Sequence, residues 1–205
     1  MTPLQIGILA TTILTFIGIG VVGVWQMTRI PWPSGPRMMR DSALGTLVTV
    51  IDAPGSDGEK LMLLDACAMA TTAIFTGWHV YRPNDAAAAS VFPQIGVHFI
   101  EDALMDDIQA ALFPGQRVAS YLSDVSTKFT RIPLAVIRKS LAKEMIATGQ
   151  PLMHELVHAL LTYFAPDDVE ENKNHTHPAW DLVQGSARAT YLDLYAPKVQ
   201  VMKRP

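Results

Sequence analysis

The chain has 205 residues, a formal net charge of −3 and 17% charged side chains, fewer than the roughly 25% usual in soluble proteins. That length holds one domain of ordinary size plus an appendage. The slight acidity gives no nucleic-acid footprint, so no nucleic-acid partner is expected. The single cysteine, Cys67, excludes an internal disulfide.

From Pro3 to Trp25 no side chain is charged. As a helix this run would reach about 35 Å, enough to cross a hydrocarbon core of about 30 Å with some tilt. Trp25 and Trp32 stand where an interfacial aromatic belt would lie. A cleavable signal peptide fits less well, because no basic segment precedes the run and Trp25-Gln26-Met27 is a poor cleavage context. The sequence therefore predicts a single-pass membrane anchor over residues 1–28, with residues 3–25 in the bilayer. Arg29, Arg37 and Arg40 follow the span while no Lys or Arg precedes it. The positive-inside rule then places the remainder in the cytoplasm, a reducing compartment that suits a lone cysteine.

Residues 29–43 read as a tether, because Ile30-Pro31-Trp32-Pro33-Ser34-Gly35-Pro36 cannot continue a helix. Residues 44–205 are expected to form the functional domain. Within it, Leu44–Ile51 suggests a strand, Asp52–Gly58 a turn, and Leu61–Trp78 a core helix too interrupted by polar residues for a second membrane pass. Ile95–Ile100 reads as a strand and Ala103–Leu112 as a short amphipathic helix. Phe129–Ile137 reads as another strand, which Pro133 demotes toward an edge position. Sheet edges can take up an extended backbone as an added strand, so Arg131–Ile137 is the candidate edge for such a contact. His98 is expected to be a satisfied core histidine, His79 to be exposed, and Ala86–Ala89 to be a loop or a helix start. No internal repeat, phosphate-cradling glycine loop or Gly-x-Ser-x-Gly turn occurs.

The chemistry is concentrated in His154-Glu155-Leu156-Val157-His158. Pro151 fits the start of a helix, and Leu152, Met153, Leu156, Val157, Leu160, Leu161 and Phe164 give it a broad apolar surface that ends at Ala165-Pro166. Imidazoles four residues apart project from one face of a helix and can reach one Zn²⁺, with the glutamate beside the open position. A mostly apolar helix would otherwise bury three unsatisfied polar groups, which is costly. A catalytic zinc site needs a third protein ligand. Asn174-His175-Thr176-His177-Pro178-Ala179-Trp180-Asp181 holds the strongest candidates, at the start of a helix expected to run through Trp180, Leu182, Val183, Ala187, Tyr191 and Leu194 to Pro197. His177 is the first choice, then Asp181, with His175, Glu170 and Glu171 after it.

The His-Glu-Leu-Val-His-Ala segment followed by His177-Pro178-Ala179-Trp180 resembles the zincin metallopeptidases. It is most similar to the SprT-like arrangement, in which H-E-x-x-H precedes a His-Gly-x-x-aromatic segment. The likeness covers about the last quarter of the chain. Pro178 stands where that family has glycine, and no cysteine-rich zinc ribbon follows. The resemblance implies that His154, His158 and His177 hold Zn²⁺ and that Glu155 is the general base. The expected fold is α+β: a small zincin-like domain with a short mixed sheet, a backing helix, the H-E-x-x-H helix and a C-terminal helix, behind one transmembrane helix. The expected activity is zinc-dependent hydrolysis of peptide or protein substrates by water activated on the metal. Tyr191, Arg188 and Tyr195 are the candidate oxyanion donors. The alternative is a non-enzymatic membrane protein whose zinc site braces two helices.

Overall fold

The computed structural model describes residues 35–82, 92–126 and 131–202. The expected anchor, most of the expected tether and the Ala86–Ala89 run lie outside the described residues. Residues 33–124 and 132–205 make one compact unit; the other, 1–32 with 125–131, falls mainly outside the description. The class is mixed α/β, with a five-stranded mixed sheet in the order β1-β2-β3-β5-β4.

β1 (Arg37–Asp41) pairs antiparallel with β2 (Leu47–Ile51), Met39 opposite Thr49. This strand lies inside the stretch expected to be tether. Its sequence, Arg-Met-Met-Arg-Asp, carries no β-branched residue and is largely exposed, so periodicity gave no sign of it. An ion pair between Arg40 and the buried Asp65 fastens it to the first helix.

That helix, α1 (Asp57–Tyr81), starts earlier than the apolar run alone predicts. Ser56 and Glu59 form a capping box: Ser56 Oγ accepts from Glu59 N–H, and the Glu59 carboxylate accepts from Ser56 N–H at 2.8 Å. α1 is the one described helix long and apolar enough to cross a membrane, yet 83% of its most apolar stretch is buried within the fold. It packs against β1 and β2 and against the later helices, which explains why it is apolar on nearly every face.

β3 (Gln94–Ile100) returns parallel to β2, with Val50 opposite Val97, so β2, α1 and β3 form a crossover unit. His98 is half-buried and its Nε2 lies 3.2 Å from Asp52 Oδ2, as a satisfied histidine should. His79, expected to be exposed, is half-buried in the last turn of α1. α2 (Asp102–Leu112) follows, then β4 (Ser120–Ser126) and β5 (Arg131–Arg138).

The edge position is reversed from expectation. β5 lies between β3 and β4, and β4 is the outer strand. Residues Pro133–Ile137 are all buried, a near-continuous apolar run of the kind that belongs in a sheet interior. Pro133 is tolerated there because the pairing with β3 runs from Leu134 to Arg138, one residue past it. β4 was not anticipated at all, since Ser-Tyr-Leu-Ser-Asp-Val-Ser is polar for a strand.

A 3₁₀ turn (Lys139–Leu141) leads into α3 (Ala142–Thr148), which ends at Gly149 with φ +76°, a conformation that favours glycine. α4 (Leu152–Phe164) carries the His-Glu-x-x-His run, and α5 (Val169–Lys173) follows. The single helix expected after Pro178 is divided. A 3₁₀ turn (Pro178–Trp180) and α6 (Asp181–Gln184) end at Gly185, and α7 (Ser186–Met202) continues past Pro197. α1 lies against α4, α6 and α7, so the helix bearing the motif is backed by the core helix as expected.

Candidate metal centre

α4 has one buried side, made by Leu152, Met153, Leu156, Val157, Ala159, Leu160 and Leu161. This packing fixes the helix and sets His154 and His158, both half-buried, one turn apart with ring centroids at 4.9 Å. The third imidazole beside them belongs to His175. Its ring lies 4.8 Å from that of His154 and 5.0 Å from that of His158, and its Nε2 is 3.1 Å from His158 Nε2. One ligand atom from each of the three lies within 4.8 Å of the others. His175 reaches this place because its φ of +57° turns the chain back after α5, a conformation for which histidine is among the more tolerant residues.

His177, expected as the third ligand, is not brought to the pair. It is buried, its Nδ1 accepts from Ala179 N–H at 3.1 Å, and its Nε2 faces Asp168 Oδ2 at 3.4 Å. Nδ1 thus caps the 3₁₀ turn that Pro178 begins, while Nε2 is turned to Asp168. The residue before a helix-starting proline is the cap position, and that was the available sign that His177 has a structural duty. Asp181 is exposed at the start of α6, and Glu170 and Glu171 are exposed on α5; among the described residues the cluster contains only the three histidines.

Asn172 orients the second imidazole. Its Nδ2 donates to His158 O at 3.3 Å and to Thr162 Oγ1 at 3.2 Å, which identifies the amide oxygen as the atom facing His158 Nδ1 at 2.8 Å. His158 therefore carries its proton on Nδ1, and in the neutral ring the Nε2 lone pair points toward His175. Sequence reasoning did not single out Asn172. An Asn172→Ala substitution should weaken metal affinity by about 10- to 100-fold, the usual effect of losing a ligand's hydrogen-bonded support. Competition with a chelator measures this, and an unchanged affinity would show that the amide does not set the ring.

Burial pushes the His154 pKa down to about 4, helped by the neighbouring His158 and His175. His158 is also lowered, chiefly by burial and also by His175, although the Asn172 bond opposes this. Neutral imidazoles are the metal-binding form, so His154 and His158 do not have to shed a proton at neutral pH. Trp180 covers the cluster, its ring 4.8, 4.7 and 4.4 Å from those of His154, His158 and His175.

Glu155 is 2% exposed, and its Oε1 accepts from Ser120 Oγ at 2.5 Å. Burial raises its pKa to about 7, against the lowering effect of the Ser120 bond. A folded-state pKa above the ordinary 4.5 means that the folded protein keeps a proton which the unfolded chain releases. This stabilisation is complete below pH 4.5 and is lost as pH rises to about 7, amounting to something on the order of 3 kcal/mol. His154 has the opposite sign, destabilising the fold as pH falls from 6.5 toward 4. Subtracting the curve of Glu155→Gln from that of the wild type removes the histidine contribution. In urea unfolding with chelator present, the variant should gain on the wild type by that amount between pH 4.5 and 8. A pH-independent difference would contradict a buried carboxylate.

The expected oxyanion donors are differently used. Tyr191 is fully buried and donates to the carbonyls of Met145 and Ile146 at 3.1 and 2.6 Å, which locks α7 to the end of α3. Tyr195 is buried and stacked on Tyr191, and Arg188 is exposed on α7. A cavity of about 740 Å³, lined in part by Asp102, Gln109, Val118, Ala119 and Arg138, opens beside the start of β4. No protein-family model, curated protein or solved structure matches the chain.

Proposed function

We propose that the chain is a membrane-anchored zinc-dependent peptidase of zincin-like type, in which His154, His158 and His175 hold the metal and Glu155 is the general base. The observation that carries this reading is the convergence of three imidazoles on the His-Glu-x-x-His helix, with ligand atoms within 4.8 Å of one another. The donor set suits zinc: neutral nitrogen ligands disfavour calcium and magnesium, which prefer oxygen, and three imidazoles are a ligand set of catalytic zinc sites. When bound there, zinc would supply Lewis acidity and lower the pKa of water toward about 7.

The chain's own residues account for the proton movements. Glu155 accepts a proton from the attacking water, whose oxygen forms the new bond to the peptide carbonyl carbon. The same carboxyl then delivers that proton to the amide nitrogen as the C–N bond breaks. The products are a carboxylic acid and an amine, so atoms balance with one water consumed. The dication would also draw the Glu155 pKa back down from its metal-free value, favouring the basic form. Asn172 fixes His158, and Asp168 with His177 holds the turn that carries Trp180 over the site. The outer strand β4, whose first residue bonds to Glu155, replaces β5 as the edge on which a substrate backbone would lie.

The uncharged run at 3–25 supports a bilayer anchor, and the arginines after it support a domain on the cytoplasmic side. A second reading is favoured by Trp180, whose ring faces all three imidazoles and suits a closed structural zinc site. Incubation of the zinc-loaded chain with a mixed peptide library separates them. New amino termini that appear only with metal support the peptidase, and an intact library with stoichiometric zinc supports the structural site.

A further inference from the structure

Ser120, the hydrogen-bond partner of Glu155, holds a constrained position for a small polar residue. It begins β4, the strand at the sheet's outer edge, and its hydroxyl reaches a carboxylate on α4, 35 residues along the chain, at 2.5 Å. The two residues before it are held in turn. Arg138 Nε donates to Val118 O at 2.9 Å, Gln109 Oε1 accepts from Val118 N–H at 2.9 Å, and Arg138 N–H donates to Ala119 O at 3.4 Å. The Arg138 guanidinium, which makes the first of these bonds, is itself anchored on Asp106 at 2.6 Å and on Asp102 O at 3.2 Å. The hydroxyl is therefore presented from a braced backbone.

Resting on the peptidase reading, we infer that Ser120 is a positioning residue for Glu155, fixing the carboxylate by a hydrogen bond to Oε1 and leaving Oε2 to carry the transferred proton. The carboxylate is almost completely enclosed. An enclosed carboxylate with one oxygen tied has a single usable orientation for the other, and orientation of the base contributes to the rate of proton transfer. The tie comes from the strand proposed to receive the substrate, so one short segment both lies against the peptide and aims the base.

The test compares Ser120→Val with Ser120→Thr in the full-length, zinc-loaded chain. The two replacements have nearly the same shape and differ in the hydroxyl, so packing is held constant. Ser120→Val should lower kcat on the order of 10-fold with KM and zinc content unchanged, and Ser120→Thr should restore most of kcat. A kcat for Ser120→Val equal to that of the wild type would overturn the inference and leave the peptidase reading intact. A wild-type chain that binds zinc and cleaves no peptide would remove the peptidase reading, and this inference with it. A second readout needs no activity. In urea unfolding of the metal-free protein, the effects of Ser120→Val and Glu155→Leu should be non-additive, because either change removes the same bond. Strict additivity would also overturn the inference.

Discussion

Glu155→Gln is expected to lower kcat for peptide hydrolysis by about 1,000-fold while zinc stays bound at its wild-type stoichiometry. The amide has nearly the carboxylate's shape and can still accept from Ser120, so the enclosure around α4 is kept. It lacks a basic site, so neither the deprotonation of water nor the later protonation of the leaving nitrogen has a partner. The variant should also be the more stable protein above pH 7 when metal-free, because an ionised carboxylate at 2% exposure is costly. Loss of turnover together with gained stability marks a residue kept for chemistry. Steady-state kinetics, metal analysis and urea unfolding of the same preparations give the three readouts. Turnover equal to wild type would remove Glu155 from the mechanism.

The second large effect distinguishes two neighbouring histidines. His175→Ala should weaken zinc binding by about 100-fold or more. Structural zinc sites with four ligands bind with apparent free energies of about 10–16 kcal/mol, or roughly 3 kcal/mol per ligand, and 3 kcal/mol is about 100-fold in affinity. His177→Ala should act on the fold instead. It removes a cap and a buried contact to Asp168, an effect of about 1–2 kcal/mol on unfolding, with a much smaller change in zinc affinity. The pair is measured by competitive zinc titration alongside thermal unfolding. If His177→Ala lost the metal and His175→Ala kept it, the ligand set proposed here would be wrong.

What could be read from the chain depended on whether its signal was local. Helix α4 was legible because Pro151, a broad apolar surface and the terminating Ala165-Pro166 agree over one short segment, and the motif sits inside it. β2, β3 and α2 were placed within a few residues for the same reason. The start of α1 was missed although Ser56-x-x-Glu59 announces it. β1 and β4 are polar sequences that become strands because neighbours pair with them, which no periodicity displays. Strand order is likewise non-local: Pro133 argued for an edge, but the unbroken apolar run around it was the better guide.

The candidate site divides along the same line. His154, Glu155 and His158 share one helix, and their grouping follows from its pitch. The choice between His175 and His177 depends on a left-handed residue and on which ring caps the next turn. Both lie in one short polar loop, where composition favours neither. Ser120 and Asn172 were invisible because each acts through a contact with α4 from elsewhere in the chain.

X-ray absorption at the zinc edge of the metal-loaded full-length chain tests the central claim most directly. One zinc per chain with three imidazole nitrogens and one oxygen, all at about 2.0–2.1 Å, is the predicted first coordination sphere. A folded chain that retains no zinc, or one whose zinc shows fewer than three imidazoles, would contradict it.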